Sequence, residues 1–67
     1  MNTEEKKSLL QHEGTSPDVV KGLAYDPEAE VRKAAVVHPN ITQEILCDVA
    51  KNDKEPEVRE LAKSMLV

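Results

Sequence analysis

The chain has 67 residues, with nine Lys and Arg against thirteen Asp and Glu, for a formal net charge of −4. That length holds one domain. The charge balance argues against a phosphate-backbone binder, which shows a basic face, and equally against a surface that seeks anionic lipid. With no Phe, no Trp and Tyr25 as the single aromatic, any core is thin and aliphatic, and a domain of this size is stable by only a few kcal/mol.

The single cysteine, Cys47, has no internal disulfide partner, which fits a reducing compartment. No run approaches the ~18 apolar residues of a membrane span. The charged start through Lys6-Lys7 is not followed by the apolar stretch of a signal peptide. These features lead us to expect a cytoplasmic protein.

In chain order, Asn2 and Glu5 read as a capping box and predict a first helix from Thr3 to Gln11, with Leu9 and Leu10 as its apolar content and Gly14 as a left-handed stop. Ser16-Pro17 is an N-cap followed by a proline at the first helical position. The apolar face of this second helix is Val19, Val20, Leu23 and Ala24, and Gly22 weakens it. Asp26-Pro27 repeats the cap-plus-proline device and opens a third helix with the stripe Val31, Ala34, Ala35 and His38, ended by Pro39. Thr42 caps a fourth helix with Ile45, Leu46, Val49 and Ala50 on one face, and Ile41 is placed to staple its start. Asn52-Asp53-Lys54 is a polar turn. The last helix starts near Glu55 or Pro56 and has the cleanest stripe: Val58, Leu61, Ala62, Met65 and Leu66. No segment alternates with the period of a strand, so the expected class is all-α, with about five short helices.

The chain also echoes itself. Asp26-Pro27-Glu28-Ala29-Glu30-Val31-Arg32 returns as Asp53-Lys54-Glu55-Pro56-Glu57-Val58-Arg59, and the helix after Ser16 matches the helix after Thr42 position by position. Self-similarity at this spacing marks stacked units, each too small to bury its apolar face alone. The organisation read from it is a single helical-repeat domain over residues 1–67: a capping helix in 1–14, a first repeat in 16–40 and a second in 41–67.

The residues Asp26-Pro27, Val31-Arg32 and Ala35, followed by His38-Pro39-Asn40, Thr42 and Leu46, resemble HEAT-like repeats. They resemble especially the variant leucine-rich repeats of bacteria, whose units end in an Asn-Pro-like turn before a Thr-Pro helix start. The resemblance spans about Ser16 to Leu66. The period here is slightly longer than in those variant repeats and much shorter than in full HEAT units. Some relatives of that kind carry a cysteine-bound iron–sulfur cluster; with Cys47 alone this does not transfer, and no cofactor is expected. What the resemblance implies is a right-handed α-α superhelix serving protein–protein contact.

Two readings attach to Asp26 with Arg32 and to Asp53 with Arg59, which share one spacing. In HEAT-like units such side chains line up across neighbours and bond turn carbonyls and carboxylates, a structural role. The functional alternative makes Arg32 and Arg59 a two-pronged clamp for a partner's carboxylate or phosphate. His12, His38 and Cys47 lack metal-ligand spacing and read as turn residues and a half-buried thiol. The hydroxyls of Ser8, Ser16, Thr42 and Ser64 sit in no nucleophile elbow or phosphate loop, so an enzyme is not expected. Met65, Leu66 and Val67 form an apolar end suited to a partner or to homodimerisation. The leading reading is a non-catalytic protein-binding adaptor. The alternatives are a nucleic-acid-binding helical array, disfavoured by the charge, and a regulatory subunit of an enzyme complex.

Overall fold

The computed structural model describes residues 2–66. Its helices are α1 (Thr3–Leu10), α2 (Pro17–Leu23), α3 (Ala29–Val36), α4 (Gln43–Asn52) and α5 (Pro56–Met65), and there is no strand among the described residues. Val67, expected to belong to the apolar end, lies outside them.

Three of the expected starts form as read. At α1, Asn2 Oδ1 accepts the Glu5 amide at 2.9 Å and Glu5 Oε1 accepts the Asn2 amide at 3.4 Å, the reciprocal capping box. Ser16 Oγ accepts the Val19 amide before α2, and Thr42 Oγ1 accepts the Ile45 amide before α4.

The third start differs from the expectation. The N-cap of α3 is Glu28, without a side-chain cap bond, so Asp26-Pro27 lies wholly in the preceding turn. The reason is that Asp26 Oδ2 takes the Glu28 amide at 3.0 Å, a local side-chain turn that competes with helix initiation at Asp26. The turn before α5 is built alike: Asp53 Oδ1 takes the Glu55 amide at 2.9 Å, Glu55 is the N-cap and Pro56 opens the helix. The caps Glu28 (φ −87°, ψ 123°) and Glu55 (φ −96°, ψ 122°) have nearly the same backbone.

The first stop also differs. Gly14 does not adopt a positive φ. Helix α1 ends at Leu10, and the Leu9 carbonyl is taken by the His12 amide at 3.3 Å and the Thr15 hydroxyl at 2.5 Å. With that carbonyl bonded, a left-handed cap is not needed. Gly22 faces open space, since a methyl group added there would touch nothing within 4 Å. It is therefore a surface residue and not a point of close helix approach.

Helix α3 is the hub, packing against α1, α2 and α5, and α4 packs against α5. The helices α1, α3 and α5 thus form a row, with α2 and α4 laid against its second and third members. The core between them holds Val20, Val31, Val36 and Val58 with no exposed surface, together with Leu46 and Val49. Every residue of the predicted α4 stripe is buried. On α2, Val19 is 41% exposed, and on α4 Cys47 is exposed and not half-buried. Each stands next in sequence to a buried residue, Val20 or Leu46, and one step along a helix turns a side chain by about 100°. In helices this short the core covers a narrow stripe only.

Val31 and Val58 occupy corresponding sequence positions and are both fully buried in the same cluster. Truncation of either to alanine removes two methyl groups from a packed site and is expected to cost about 2 kcal/mol. Urea denaturation should therefore place Val31→Ala and Val58→Ala at similar midpoints, well below wild type. Val37→Ala, at a site 49% exposed, should stay within about 0.5 kcal/mol of wild type.

Candidate functional site

The polar chemistry of the molecule is concentrated where the first turns of α1, α3 and α5 meet. Each of these helices carries a cation at its fourth residue: Lys6, Arg32 and Arg59. Lys6 Nζ reaches forward to Asp26 Oδ1 at 2.6 Å, in the turn before α3. Arg32 reaches forward to Asp53, in the turn before α5, with Nε on Oδ2 at 2.8 Å and Nη2 on Oδ1 at 3.2 Å. That pair is bidentate, and both side chains are nearly sealed from solvent, at 6% and 5% exposure.

Arginine also reaches backward. Arg32 Nη1 donates to the carbonyls of Asp26 at 2.8 Å and Pro27 at 3.0 Å. Arg59 Nη1 makes the equivalent bond to the Asp53 carbonyl at 2.7 Å. Lysine at position 6 lacks the planar fork and makes the forward contact only. A second, exposed rung runs alongside: Lys7 pairs with Glu30 at 3.4 Å and Lys33 with Glu57 at 2.5 Å.

Asp26 is held below the usual carboxylate range, first by the bond from Lys6 and next by the Glu28 amide, against a desolvation effect that opposes both. Glu57 is likewise lowered by Lys33.

The sequence-predicted residues therefore separate. Arg32 is not one prong of a free clamp, because its forward and backward donors are already engaged inside the fold. Arg59 is half-buried and differs: it holds the Asp53 carbonyl, and its Nε and Nη2 have no partner among the described residues. Met65 is 38% exposed, whereas Leu66 is half-buried against the core and less open than a free apolar end. The forward cation Lys6 and the outer rung were missed in the sequence. The signal was present: at the offset that matches Ser16 with Thr42, Lys6-Lys7 falls on Arg32-Lys33.

The two histidines meet, though not as metal ligands. His38 Nε2 lies 2.7 Å from the His12 carbonyl, and His38 Nδ1 faces the Asn40 amide at 3.0 Å. A carbonyl only accepts and an amide only donates, so the proton sits on Nε2. Asn40 Nδ2 adds bonds to the carbonyls of Glu13 and Thr15 at 2.9 and 2.7 Å. The His38-Pro39-Asn40 turn is thereby sewn onto the loop between α1 and α2. Among the described residues no group of three His, Cys, Asp or Glu side chains is placed to hold a metal ion.

The described residues also form surface grooves. One of about 230 Å³ is lined by Tyr25, Asp48, Val49, Asn52 and Asp53. Another, about 290 Å³, lies along α1 and is lined by Glu5, Ser8, Leu9 and His12. No hydrogen bond joins Ser8 to His12 or His12 to Glu5, so the contacts of a nucleophile with its base are not formed there. No helix is long and apolar enough to cross a membrane among the described residues.

No family model matches the chain, and neither the curated proteins nor the solved structures contain a match to it.

Removing the Arg32 guanidinium leaves the Asp53 carboxylate enclosed and unpaired, which costs about 3–5 kcal/mol. In a domain stable by only a few kcal/mol that is enough to abolish folding. Arg32→Ala should therefore lose its cooperative thermal transition by circular dichroism. Arg59→Ala, which gives up one bond, should melt cooperatively with a loss of about 1 kcal/mol. The single tyrosine offers a second check. Its phenol donates to Asp48 Oδ2 at 2.7 Å, and that bond, with smaller effects of desolvation and of the Asp48 and Glu44 charges, pushes Tyr25 up to about 12 from 10.0. A raised acid contributes stability below its unfolded value and loses it as pH rises through the folded one. Ultraviolet titration should show phenolate forming near 12, and Asp48→Asn should bring the midpoint back toward 10.

Proposed function

We propose that the chain is a non-catalytic protein-interaction module: two and a half HEAT-like helical units stacked as a right-handed superhelix, presenting the outer side of α5 to another protein. The reading draws first on the recurrence of one local arrangement. The Asp turn, the glutamate N-cap and the backward arginine bond occur before and within α3 and again before and within α5. A forward cation-to-aspartate bond links each row helix to the next.

The single observation that carries the functional reading is Arg59. It is the third cation in the row, placed like Lys6 and Arg32, and it has no carboxylate in front of it among the described residues. An array of this kind binds through such surfaces and not through an enclosed pocket. The lone Cys47 thiol supports a reducing compartment, the cytoplasm on this reading. The acidic balance of the chain favours a protein partner over a nucleic acid.

The test starts from capture with the tagged chain in extract of its native host, followed by purification of the captured protein and calorimetry. A partner that rebinds the purified chain at a fixed stoichiometry, with micromolar or tighter affinity, supports the reading. Retention of DNA that weakens steeply with added salt, with no protein rebinding, would replace it by the nucleic-acid reading.

A further inference from the structure

We infer that the guanidinium of Arg59 is a docking site for one carboxylate, presented by an aspartate in the turn that opens a helix of another polypeptide. The inference deepens the interaction-module reading and rests on it. It is carried by a comparison inside the molecule. Lys6 and Arg32 occupy the same place in their helices as Arg59, and each binds the aspartate of a helix-opening turn, Asp26 or Asp53. At Arg32 the carboxylate arrives on Nε and Nη2 while Nη1 holds the preceding turn's carbonyls. At Arg59 Nη1 is already fixed on the Asp53 carbonyl, which orients the fork, and Nε and Nη2 are the donors left over. The fork is held as at Arg32, with Nε and Nη2 open to solvent.

The neighbours of Arg59 narrow the occupant. Glu55, Glu57 and Glu60 flank it in sequence and are exposed, Glu57 held by Lys33 and Glu60 by Lys63. The acidic balance of the chain disfavours a polyphosphate backbone, which brings repeated negative charge, and leaves room for a single carboxylate. The adjoining rung sets the next preference. Where α1 and α3 carry Lys7 and Lys33, each facing a glutamate, α5 carries Glu60. The partner residue four places after its aspartate, where this chain has Glu30 and Glu57, is therefore expected to be basic. A second copy of this chain stacked in the same register would set its Glu4 against Glu60, so like charges oppose self-assembly in that register.

The test uses nitrogen-15-labelled full chain and follows the Arg59 Nε–H resonance. The first probe is a peptide with the sequence of residues 52–59 carrying Glu57→Lys; the second is the same peptide with Asp53→Asn; the third is inorganic phosphate. Saturable shifts at Arg59 with the first peptide, about tenfold weaker with the second and with Arg32 unmoved, support the inference. A peptide keeping Glu57 should bind about two- to fivefold more weakly than the one with Lys. Equal shifts from the Asp and Asn peptides, or none, overturn it, and tighter binding of phosphate overturns it in favour of a phosphate site. The two proposals fail separately. A captured partner that binds Arg59→Ala as well as wild type removes the Arg59 site and leaves the module. Peptide binding at Arg59 with no partner found removes the module and leaves the site.

Discussion

Everything in this small molecule leans on the bond between Arg32 and Asp53. The hydrophobic core has no large aromatic, and its fully buried members include four valines spread over α2, α3 and α5. Such a core favours compaction but sets the angle and register between neighbouring helices weakly, because aliphatic contacts are not directional. The Arg32 fork is directional. It fastens the start of α3 to the start of α5, and through Nη1 it ties down the turn that precedes its own helix. One side chain thus fixes three segments. The Asp26 carboxylate plays the matching part on the other side, taking Lys6 from α1 and the Glu28 amide of its own turn.

Burial of these charges is tolerated because each is fully engaged. No buried side-chain nitrogen or oxygen lacks a hydrogen-bond partner among the described residues. The alternative use of the same volume, an apolar pair, would be at least as stabilising in many proteins. What an ion pair supplies here is register: a slip along α5 by one residue would leave Asp53 enclosed without its arginine. Between helices whose facing sides are lined by similar small aliphatic side chains, that penalty separates the correct packing from near alternatives.

Much of this was legible in the sequence, and the reasons for the misses are local. Five helices follow from hydrophobic periodicity and from three strong caps, Asn2, Ser16 and Thr42, whose side chains have no competing use. The start of α3 was misplaced because Asp26 has one: its carboxylate is drawn into the turn and toward Lys6, so it does not cap the residues that follow. Gly14 reads as a helix stop from composition, yet a hydroxyl six residues away in sequence, that of Thr15, satisfies the Leu9 carbonyl. Val19 reads as part of an apolar face and Cys47 as half-buried beside one, but the contacts of such short helices cover neither. Asp26 and Arg32, and Asp53 and Arg59, were singled out by their spacing alone. The spacing cannot tell which arginine is enclosed, because that depends on the element lying in front of it.

The face of α5 that lies in register with the α5-facing side of α3 shows how the ladder changes at this point. Val36, fully buried in α3, corresponds to Lys63 in α5, and Lys33 corresponds to Glu60. Lys63 and Glu60 pair with each other at 3.0 Å on an open surface, an exposed contact of small energetic weight. An apolar contact and a forward cation have therefore given way to a self-satisfied polar pair, while the arginine of the inner rung is retained. A face altered in this way is well solvated on its own. It also keeps one oriented, solvent-accessible donor set, that of Arg59. On the proposed reading that combination favours a reversible partner over a permanent one: the polar surround contributes little to affinity but rejects mismatched charge, and the single fork supplies the directional contact. On that reading the same arginine position that fixes register inside the fold serves, one step further along the row, to choose what is laid against it.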